Sequence, residues 1–198
     1  RLFSEGVQQY NVIRNLLEQA PYPSRAVEDN LADLRAQVAA NRLGERLLLK
    51  IVEEYGEADT LNAMQDLKSV AELALLNRLK KFPAQPGSSR QTLDDGAVIQ
   101  LQATRKHNRL ELDFSGTSSQ HSGNLNANPA IIISATLYVL RCWVNEPIPL
   151  NEGALKIVDL IIPSGSMLNP EFGSDDNLNP AVVGGNVETS QRVVDALW

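Results

Sequence analysis

Apolar residues recur at helical spacing through the first third of the chain. Between about residues 24 and 55, Val, Leu, Ile and Tyr return every three or four positions, and Gly56 follows as a stop signal. A second helix is predicted to begin with Asp59 or Thr60 as its cap and to end before Pro83. The pattern predicts one long helix or two shorter ones, followed by a further helix, together forming a helical hairpin.

The pattern changes after Pro83. The tract 83–89 is rich in Pro, Gly and Ser, which predicts a linker. The segments 98–104 and 109–114 both alternate apolar and polar residues, which is typical of half-buried strands. His107 lies between them, where a hairpin turn is expected. The apolar face of such a hairpin needs a cover.

That cover is predicted to be the segment 129–144, which is apolar almost all round and long enough for a buried helix. The segment 155–162 is predicted to be a buried strand, and 186–198 the first turns of a helix. The fold class is therefore α+β, with an N-terminal helical hairpin followed by a mixed sheet-and-helix region that contains a buried helix. We expect a helical region over 1–83 and an α/β region over 84–198.

Composition and charge argue against several classes of function. The chain has 198 residues, 43% of them hydrophobic, which is ordinary for a globular protein, and a formal charge of −6, which argues against nucleic-acid binding. The sequence predicts no membrane association, because no apolar run is long enough to span a bilayer. The single Cys142 lies in an apolar run and is expected to be a small buried residue in a reduced, cytoplasmic compartment.

The segment 110–128 is the first candidate site, because an alternating strand runs into a turn crowded with small polar residues. With Gly116 in the turn, exposed N–H groups and hydroxyls could hold a carboxylate, a phosphate or an amide oxygen. The alternative is a hydroxyl-rich turn whose side chains satisfy its own backbone. Asp113, at the end of the strand, is a candidate catalytic carboxylate.

The segment 184–192 is the second candidate site. Its Gly-Gly-Asn sequence precedes an apolar-periodic run, so it could offer free N–H groups at a helix N-terminus with Thr189 or Ser190 as cap. The alternative is a Gly-Gly turn and an ordinary cap. Its spacing fits neither a dinucleotide motif nor a P-loop. Glu188 either pairs with Arg192 four residues later or acts as a general base.

Two further features concern the first loop. His121 could polarise a substrate, although the two histidines of the chain do not make a metal-binding pattern. Asn124, Asn126 and Asn128 alternate, so an extended segment would present three amides on one side. If the segment instead begins a helix, only one of them serves as its cap.

Ordered motifs along nearly the whole chain resemble the hydantoinase B family, which includes the B-type half of 5-oxoprolinase and the large subunit of acetone and acetophenone carboxylases. The two polar clusters carry most of the resemblance, and shorter matches lie between and before them. The matching segments are Asp-Phe-Ser-Gly-Thr-Ser-x-Gln at 113–120, Gly-Gly-Asn-x-Glu-Thr-Ser-Gln-Arg at 184–192, 33–40, 55–56, 149–153 and 163–170.

The resemblance implies part of an ATP-dependent enzyme that opens a cyclic amide such as 5-oxoproline or a hydantoin. A hydantoinase A-type partner is then expected to be associated with ATP use, and the full assembly with a divalent metal held outside this chain. Carboxylation of a ketone is the alternative within the family, and a non-catalytic assembly module is the alternative of another class. Because the chain lacks an initial Met and stops at Trp198 while the pattern is still helix-like, we expect an internal piece of a longer protein. The resemblance implies an oligomeric assembly, and we expect this piece to be inactive alone.

The predicted site residues follow from the two loops and the resemblance together. The catalytic candidates are Asp113 and Glu188. The predicted substrate-binding residues are Ser115, Gly116, Thr117, Gln120, Asn126, Gly185, Asn186, Thr189 and Ser190.

Overall fold

The computed structural model describes residues 2–20, 23–174 and 179–198. Its contacts divide the chain into two compact units, Arg1–Asn62 and Ala63–Trp198. Each unit is described by itself below. Both candidate loops belong to the second unit.

The first unit is mainly helical. Its elements are a short antiparallel hairpin of β1 (Phe3–Ser4) and β2 (Val7–Gln8), then α1 (Tyr10–Gln19) and α2 (Val27–Tyr55). Arg14 of α1 pairs with Glu28 of α2 at 2.5 Å, and the Arg35 guanidinium lies over the ring of Tyr10. These exposed contacts stabilise the unit only modestly, since solvent screens surface ion pairs.

Helix α2 is one long helix that runs unbroken to Tyr55, and Gly56 ends it with a φ of +84°, a conformation that glycine adopts without strain. Helix α3 (Glu57–Leu79) begins at once. The predicted cap at Asp59 or Thr60 is therefore wrong: the helix begins at Glu57, so both residues lie inside its first turn, and the Thr60 hydroxyl donates to the Gly56 carbonyl.

A packed helical hairpin would bury the apolar positions of α2 along its whole length. Leu31, in the first half of the helix, is buried, but the apolar positions in the second half are mostly exposed. Leu43, Leu47, Ile51 and Tyr55 follow one another at intervals of four residues, and their exposed fractions range from 45% to 61%. The periodicity therefore predicted the helix correctly, but the stripe it forms has no cover within the described residues.

The second unit contains a four-stranded sheet in the order β3-β4-β5-β6. The strands are β3 (Gly87–Thr92), β4 (Val98–Lys106), β5 (Arg109–Asp113) and β6 (Val158–Ile161). The pairs β3–β4 and β4–β5 are antiparallel and β5–β6 is parallel. His107 occupies the β4–β5 turn with a φ of +55°.

Two predictions in this region need correction. Strand β3 includes the end of the predicted linker, because Gly87 and the two serines after it pair with β4 as an edge strand that needs no apolar face. The predicted strand 155–162 is shorter, since Glu152–Ile157 forms a 3₁₀ helix before β6. A Cβ on Gly153 would lie 2.0 Å from the Lys68 carbonyl oxygen, so glycine allows this helix to pack on α3.

Helix α4 (Pro129–Val144) matches the prediction and contributes much of the core. Asn128 is its N-cap and accepts a hydrogen bond from the Ile131 N–H at 3.2 Å, so the alternative in which one asparagine caps the helix is confirmed. Helix α5 (Glu188–Leu197) packs beside α4. The core combines Phe114 with apolar residues from the sheet, α3, α4 and α5.

The α+β class is thus confirmed. Cys142 is exposed, contrary to expectation, because it lies on the outer side of α4. Among the described residues, no helix has both the length and the apolar character that crossing a bilayer requires.

Candidate functional site

The first loop leaves β5 through a tight turn. The Asp113 carboxylate accepts a hydrogen bond from the Ser115 N–H at 2.8 Å, and Gly116 has a φ of +91°. A Cβ on Gly116 would lie 3.3 Å from the Gln100 side chain. Ser115 and Gly116 are exposed at the tip of this turn, and Asp113 is partly exposed.

Two hydroxyls of the loop bond to the backbone of β4. Thr117 Oγ1 accepts from the Gln100 N–H at 3.1 Å and donates to the Gln100 carbonyl at 3.3 Å, while Ser118 Oγ accepts from the Val98 N–H at 2.9 Å. The loop therefore extends the pairing of β4 beyond the end of β5. The Thr117 hydroxyl is therefore used to bond the backbone, as predicted by the alternative in which the side chains of this hydroxyl-rich turn bond to backbone groups.

The N–H groups of this loop are also used within the chain. Those of Ser118 and Gln120 donate to the Val98 and Gly165 carbonyls at 2.9 and 2.8 Å. The Gln120 side-chain oxygen accepts from the Glu171 N–H at 2.9 Å. Because these groups are already bonded, the loop has little of the capacity to bind an anion that its sequence suggested. The same contacts connect the front of the loop to β4 and to the segment after β6.

Asn126 is the centre of the rest of the loop. It is fully buried, its Oδ1 accepts from the His121 N–H at 2.7 Å, and its Nδ2 donates to the carbonyls of His121, Gly123 and Ala181 at 2.8, 3.2 and 3.1 Å. The amide thus has its partners in the chain itself. A substrate contact through Asn126 stays a prediction, and it would require some of these bonds to break.

His121 is held at both ring nitrogens. Nδ1 accepts from the Gly123 N–H at 2.8 Å, and Nε2 lies 2.5 Å from Oδ2 of Asp95 in the β3–β4 turn. The Ala97 N–H and then the His121 ring lower the pKa of Asp95. Sequence patterns did not single out Asp95, because its partner lies 26 residues away.

The second loop packs directly on the first. The Gly184 N–H donates to the Asn124 carbonyl at 2.8 Å, and the buried Thr189 hydroxyl donates to the Leu125 carbonyl at 2.6 Å. A Cβ on Gly185 would lie 2.1 Å from the Asn126 carbonyl oxygen. Glycine is therefore required for this close approach, and the two polar clusters are neighbours in space, as the sequence predicted.

The start of α5 differs from the expected capping. Val187 is the N-cap and supplies no side-chain acceptor, so the predicted cap at Thr189 or Ser190 is wrong. The Ser190 hydroxyl donates back to the Asn186 and Val187 carbonyls at 3.1 and 3.2 Å. The structure therefore has no side-chain cap at the start of α5, the end of the helix beside the second loop.

Glu188 does not form the alternative pair with Arg192, which instead contacts Asp195 at 2.9 Å. Within the part of the chain that the structure describes, the Glu188 carboxylate has no ion pair or side-chain hydrogen bond, and it is partly exposed. A carboxylate in this state can accept a proton or orient a water molecule.

A cleft of about 480 Å³ lies between α4 and α5, next to the second loop. Two predicted residues, Asn186 and Ser190, line it. The other polar lining groups were not predicted: Ser134, Tyr138, Gln191 and Asp195. Ser134 and Tyr138 are four residues apart on α4 and therefore share one face of the helix. Two polar residues on one face of an otherwise apolar helix could have indicated this side of the cleft from the sequence.

Asp113 and the predicted binding residues thus separate into three sets. Asp113, Ser115, Gly116, Thr117 and Gln120 belong to the front of the first loop, which is tied to β4 and the segment after β6. Asn126, Gly185 and Thr189 form the contact between the loops, and Asn186 and Ser190 line the cleft. No group of three or more His, Cys, Asp or Glu side chains suited to a metal ion occurs in residues 2–20, 23–174 and 179–198.

Comparison with known proteins identifies the family. The model of the hydantoinase B/oxoprolinase family matches residues 1–198, so the chain belongs to this family. It is 42% identical to a 5-oxoprolinase of Saccharomyces cerevisiae over 98% of its length and 38% identical to one of Dictyostelium discoideum over 100%. It spans only 16% of the length of each of these relatives.

Two solved structures share the fold. The ATP-dependent caprolactamase from Pseudomonas jessenii superposes with a TM-score of 0.78 at 24% identity, over 99% of this chain and 33% of that one. An acetone carboxylase superposes with a TM-score of 0.64 at 19% identity, over 94% and 26%. The resemblance seen in the sequence motifs is therefore confirmed at the level of family and fold.

Proposed function

We propose that this chain is part of the B-type component of an ATP-dependent hydrolase that opens a cyclic amide, such as 5-oxoproline or a hydantoin. Family membership and the similarity to 5-oxoprolinases support the reaction class. The observation that carries the site is the packing of the second polar loop on the first, beside the α4–α5 cleft.

The chemistry of the cleft suits a small lactam. A ring amide is held cis, so its N–H and C=O point to the same side of the ring. A primary amide side chain carries both a donor and an acceptor and can pair with both groups at once. Asn186 and Gln191 supply such amides, with the Ser190, Ser134 and Tyr138 hydroxyls nearby. We assign substrate contact to this set.

Glu188 is the proposed general base. Opening the ring amide requires water to add to the carbonyl carbon, and that water must lose a proton as it adds. Glu188 is adjacent in sequence to the lining loop, and its carboxylate has no partner within the described residues. Asp113 remains the second catalytic candidate, with one carboxylate oxygen committed to the Ser115 N–H.

ATP use is proposed for the full assembly through a hydantoinase A-type subunit or domain, in a cytoplasmic complex of several chains. The described part of this chain does not suit the nucleotide, since the N–H groups of Ser115, Ser118 and Gln120 in the first loop already have partners and the sequence carries no P-loop. The described residues do not suit a divalent metal either. We therefore route no step of the reaction through either group here.

The test uses the full-length protein with its A-type component. Glu188→Gln should lower the turnover number for 5-oxoproline by at least about 100-fold, as expected for loss of a general base. Asn186→Ala should mainly raise KM. The matched control is Glu54→Gln on the exposed surface of α2, which should leave both constants unchanged. Full turnover in Glu188→Gln would refute the assignment.

Ketone carboxylation is the second candidate within the family, and the shared fold with acetone carboxylase favours keeping it. Both reactions need groups that stabilise a developing oxyanion. A panel of 5-oxoproline, hydantoin and acetone with bicarbonate, each with ATP, separates them. Turnover of acetone without turnover of any cyclic amide would replace the proposal.

An assembly role is the candidate from another class, and the exposed apolar stripe of α2 favours it. Leu43, Leu47, Ile51 and Tyr55 expose a continuous apolar surface of the kind that partner chains cover. Leu47→Asp with Ile51→Asp should weaken binding of the A-type component in size-exclusion chromatography. Unchanged complex formation would count against this role, and Arg46→Ala serves as the control.

A further inference from the structure

The imidazole of His121 links two parts of the second unit that are distant in sequence. Because Nδ1 accepts from the Gly123 N–H, the proton of the neutral ring lies on Nε2, which then donates to Asp95. Both nitrogens are therefore occupied by the chain. Direct proton transfer to a substrate would require one of these two bonds to break.

Asp95 is itself held in place. Its Oδ1 accepts from the Ala97 N–H at 3.0 Å, while its Oδ2 receives the imidazole. The β3–β4 turn is closed by backbone hydrogen bonds between Leu93 and Ala97 and between Gly96 and Leu93. The turn therefore fixes the Asp95 carboxylate, and the carboxylate in turn fixes the position of the His121 ring.

Gly123 fits closely against the same ring. A Cβ at this position would lie 2.9 Å from Cε1 and 3.1 Å from Nδ1 of His121. Asn126 then joins the segment to the residues just before the second loop, because its amide binds the carbonyls of His121, Gly123 and Ala181. A continuous series of hydrogen bonds therefore runs from Asp95 through His121 and Asn126 to Ala181, three residues before Gly184.

We propose that Asp95 and His121 are positioning residues: they set the conformation of residues 121–127, on which the 184–189 segment packs, and so orient the groups of the cleft. This inference rests on the proposed function for its effect on catalysis. Its structural part does not depend on any substrate, because the contacts between the loops are independent of what the cleft binds.

Hydrogen–deuterium exchange on the full-length protein tests the structural part. Asp95→Ala should speed exchange in peptides covering 121–127 and 181–189 by about tenfold, the effect of losing one charge-assisted hydrogen bond. His121→Ala should speed it by more, because it also removes the acceptor for the Gly123 N–H. Because Asp95 acts on this segment through His121, the double variant should exchange little faster than His121→Ala alone. Additive effects, or no effect of His121→Ala, would overturn the proposal.

Conservative variants separate the two nitrogens. In His121→Asn, the side-chain oxygen can replace Nδ1 as acceptor for the Gly123 N–H, so part of the protection at 121–127 should return. His121→Gln reaches toward Asp95 but loses that acceptor, and it should protect the segment less. His107→Asn, in the β4–β5 turn, is the matched control and should change nothing. Equal exchange in His121→Asn and His121→Ala would contradict the acceptor role.

Kinetics on the same variants test the catalytic part. A shifted cleft should raise KM for the cyclic amide more than it lowers kcat, whereas loss of a catalytic group would lower kcat first. If exchange changes as expected but the wild-type protein opens no cyclic amide, the proposed function fails and the positioning role stands. Unchanged KM in a variant with altered exchange would overturn the link between the loops and the cleft.

Discussion

Gly185→Ala tests the contact between the two polar loops. The new Cβ would lie 2.1 Å from the Asn126 carbonyl oxygen and 2.7 Å from Cα of Ala127, whereas ordinary contact begins at 3.4 Å. Both neighbours are backbone atoms of a buried segment, so no flexible side chain can absorb the clash. The loops must separate by roughly 1 Å, as judged against close packing in protein interiors.

The cost follows from what this separation disrupts. Overpacking a well-packed site costs about 1–3 kcal/mol. The shift also weakens the 2.6 Å bond from the Thr189 hydroxyl to Leu125 and the 2.8 Å bond from the Gly184 N–H to Asn124. Each is worth about 1 kcal/mol. We expect a local destabilisation of about 3 kcal/mol, which corresponds to exchange on the order of 100-fold faster.

Hydrogen–deuterium exchange of the full-length protein measures this local destabilisation in peptides covering 122–130 and 181–190. The control is Gly44→Ala, inside the exposed α2, where a Cβ meets nothing within 4 Å. That change should stabilise the helix by about 0.5–1 kcal/mol and leave both loops unaffected. If Gly185→Ala exchanged at the wild-type rate, the close packing of the loops would be refuted.

Three further predictions concern stability. Asn126→Ala leaves several buried groups unpaired and should cost at least about 3 kcal/mol, against about 1 kcal/mol for the helix cap lost in Asn128→Ala, measured by local exchange. Thr136→Val should raise the melting temperature, because the buried Thr136 hydroxyl has no hydrogen-bond partner among the described residues and its removal gains about 1 kcal/mol; a lower melting temperature would contradict this. The Arg109 hydrogen bond holds the pKa of Asp159 below its ordinary 3.8, so this stabilisation is present above that pH and is lost as the pH falls through the lowered value. Asp159→Asn should therefore reduce the acid-side loss of stability in melting curves recorded between about pH 2 and 5, and an unchanged profile would argue against the pair.

Local signals in the sequence were sufficient for the regular elements. The repeat of apolar residues predicted α2, and alternation predicted β4 and β5, because these periods follow from backbone geometry alone. The length and apolar character of 129–144 predicted α4. Ordered motifs along nearly the whole chain, above all the polar clusters at 113–120 and 184–192, indicated the family. Strand β3 was missed, since an edge strand of Gly and Ser has no apolar period.

The role of each polar residue depended on partners that lie far away in the sequence. Asn126 meets the carbonyl of Ala181, and Thr189 meets that of Leu125, so only the folded chain shows that these side chains join the loops. Likewise, only the tertiary structure shows whether the apolar stripe of α2 is covered by other residues. The sequence by itself determined the main helices, the central strands and the family, because these depend on local periods and ordered motifs. Tertiary structure decided which polar groups are already satisfied and which are left open, because hydrogen-bond partners are chosen by proximity in space.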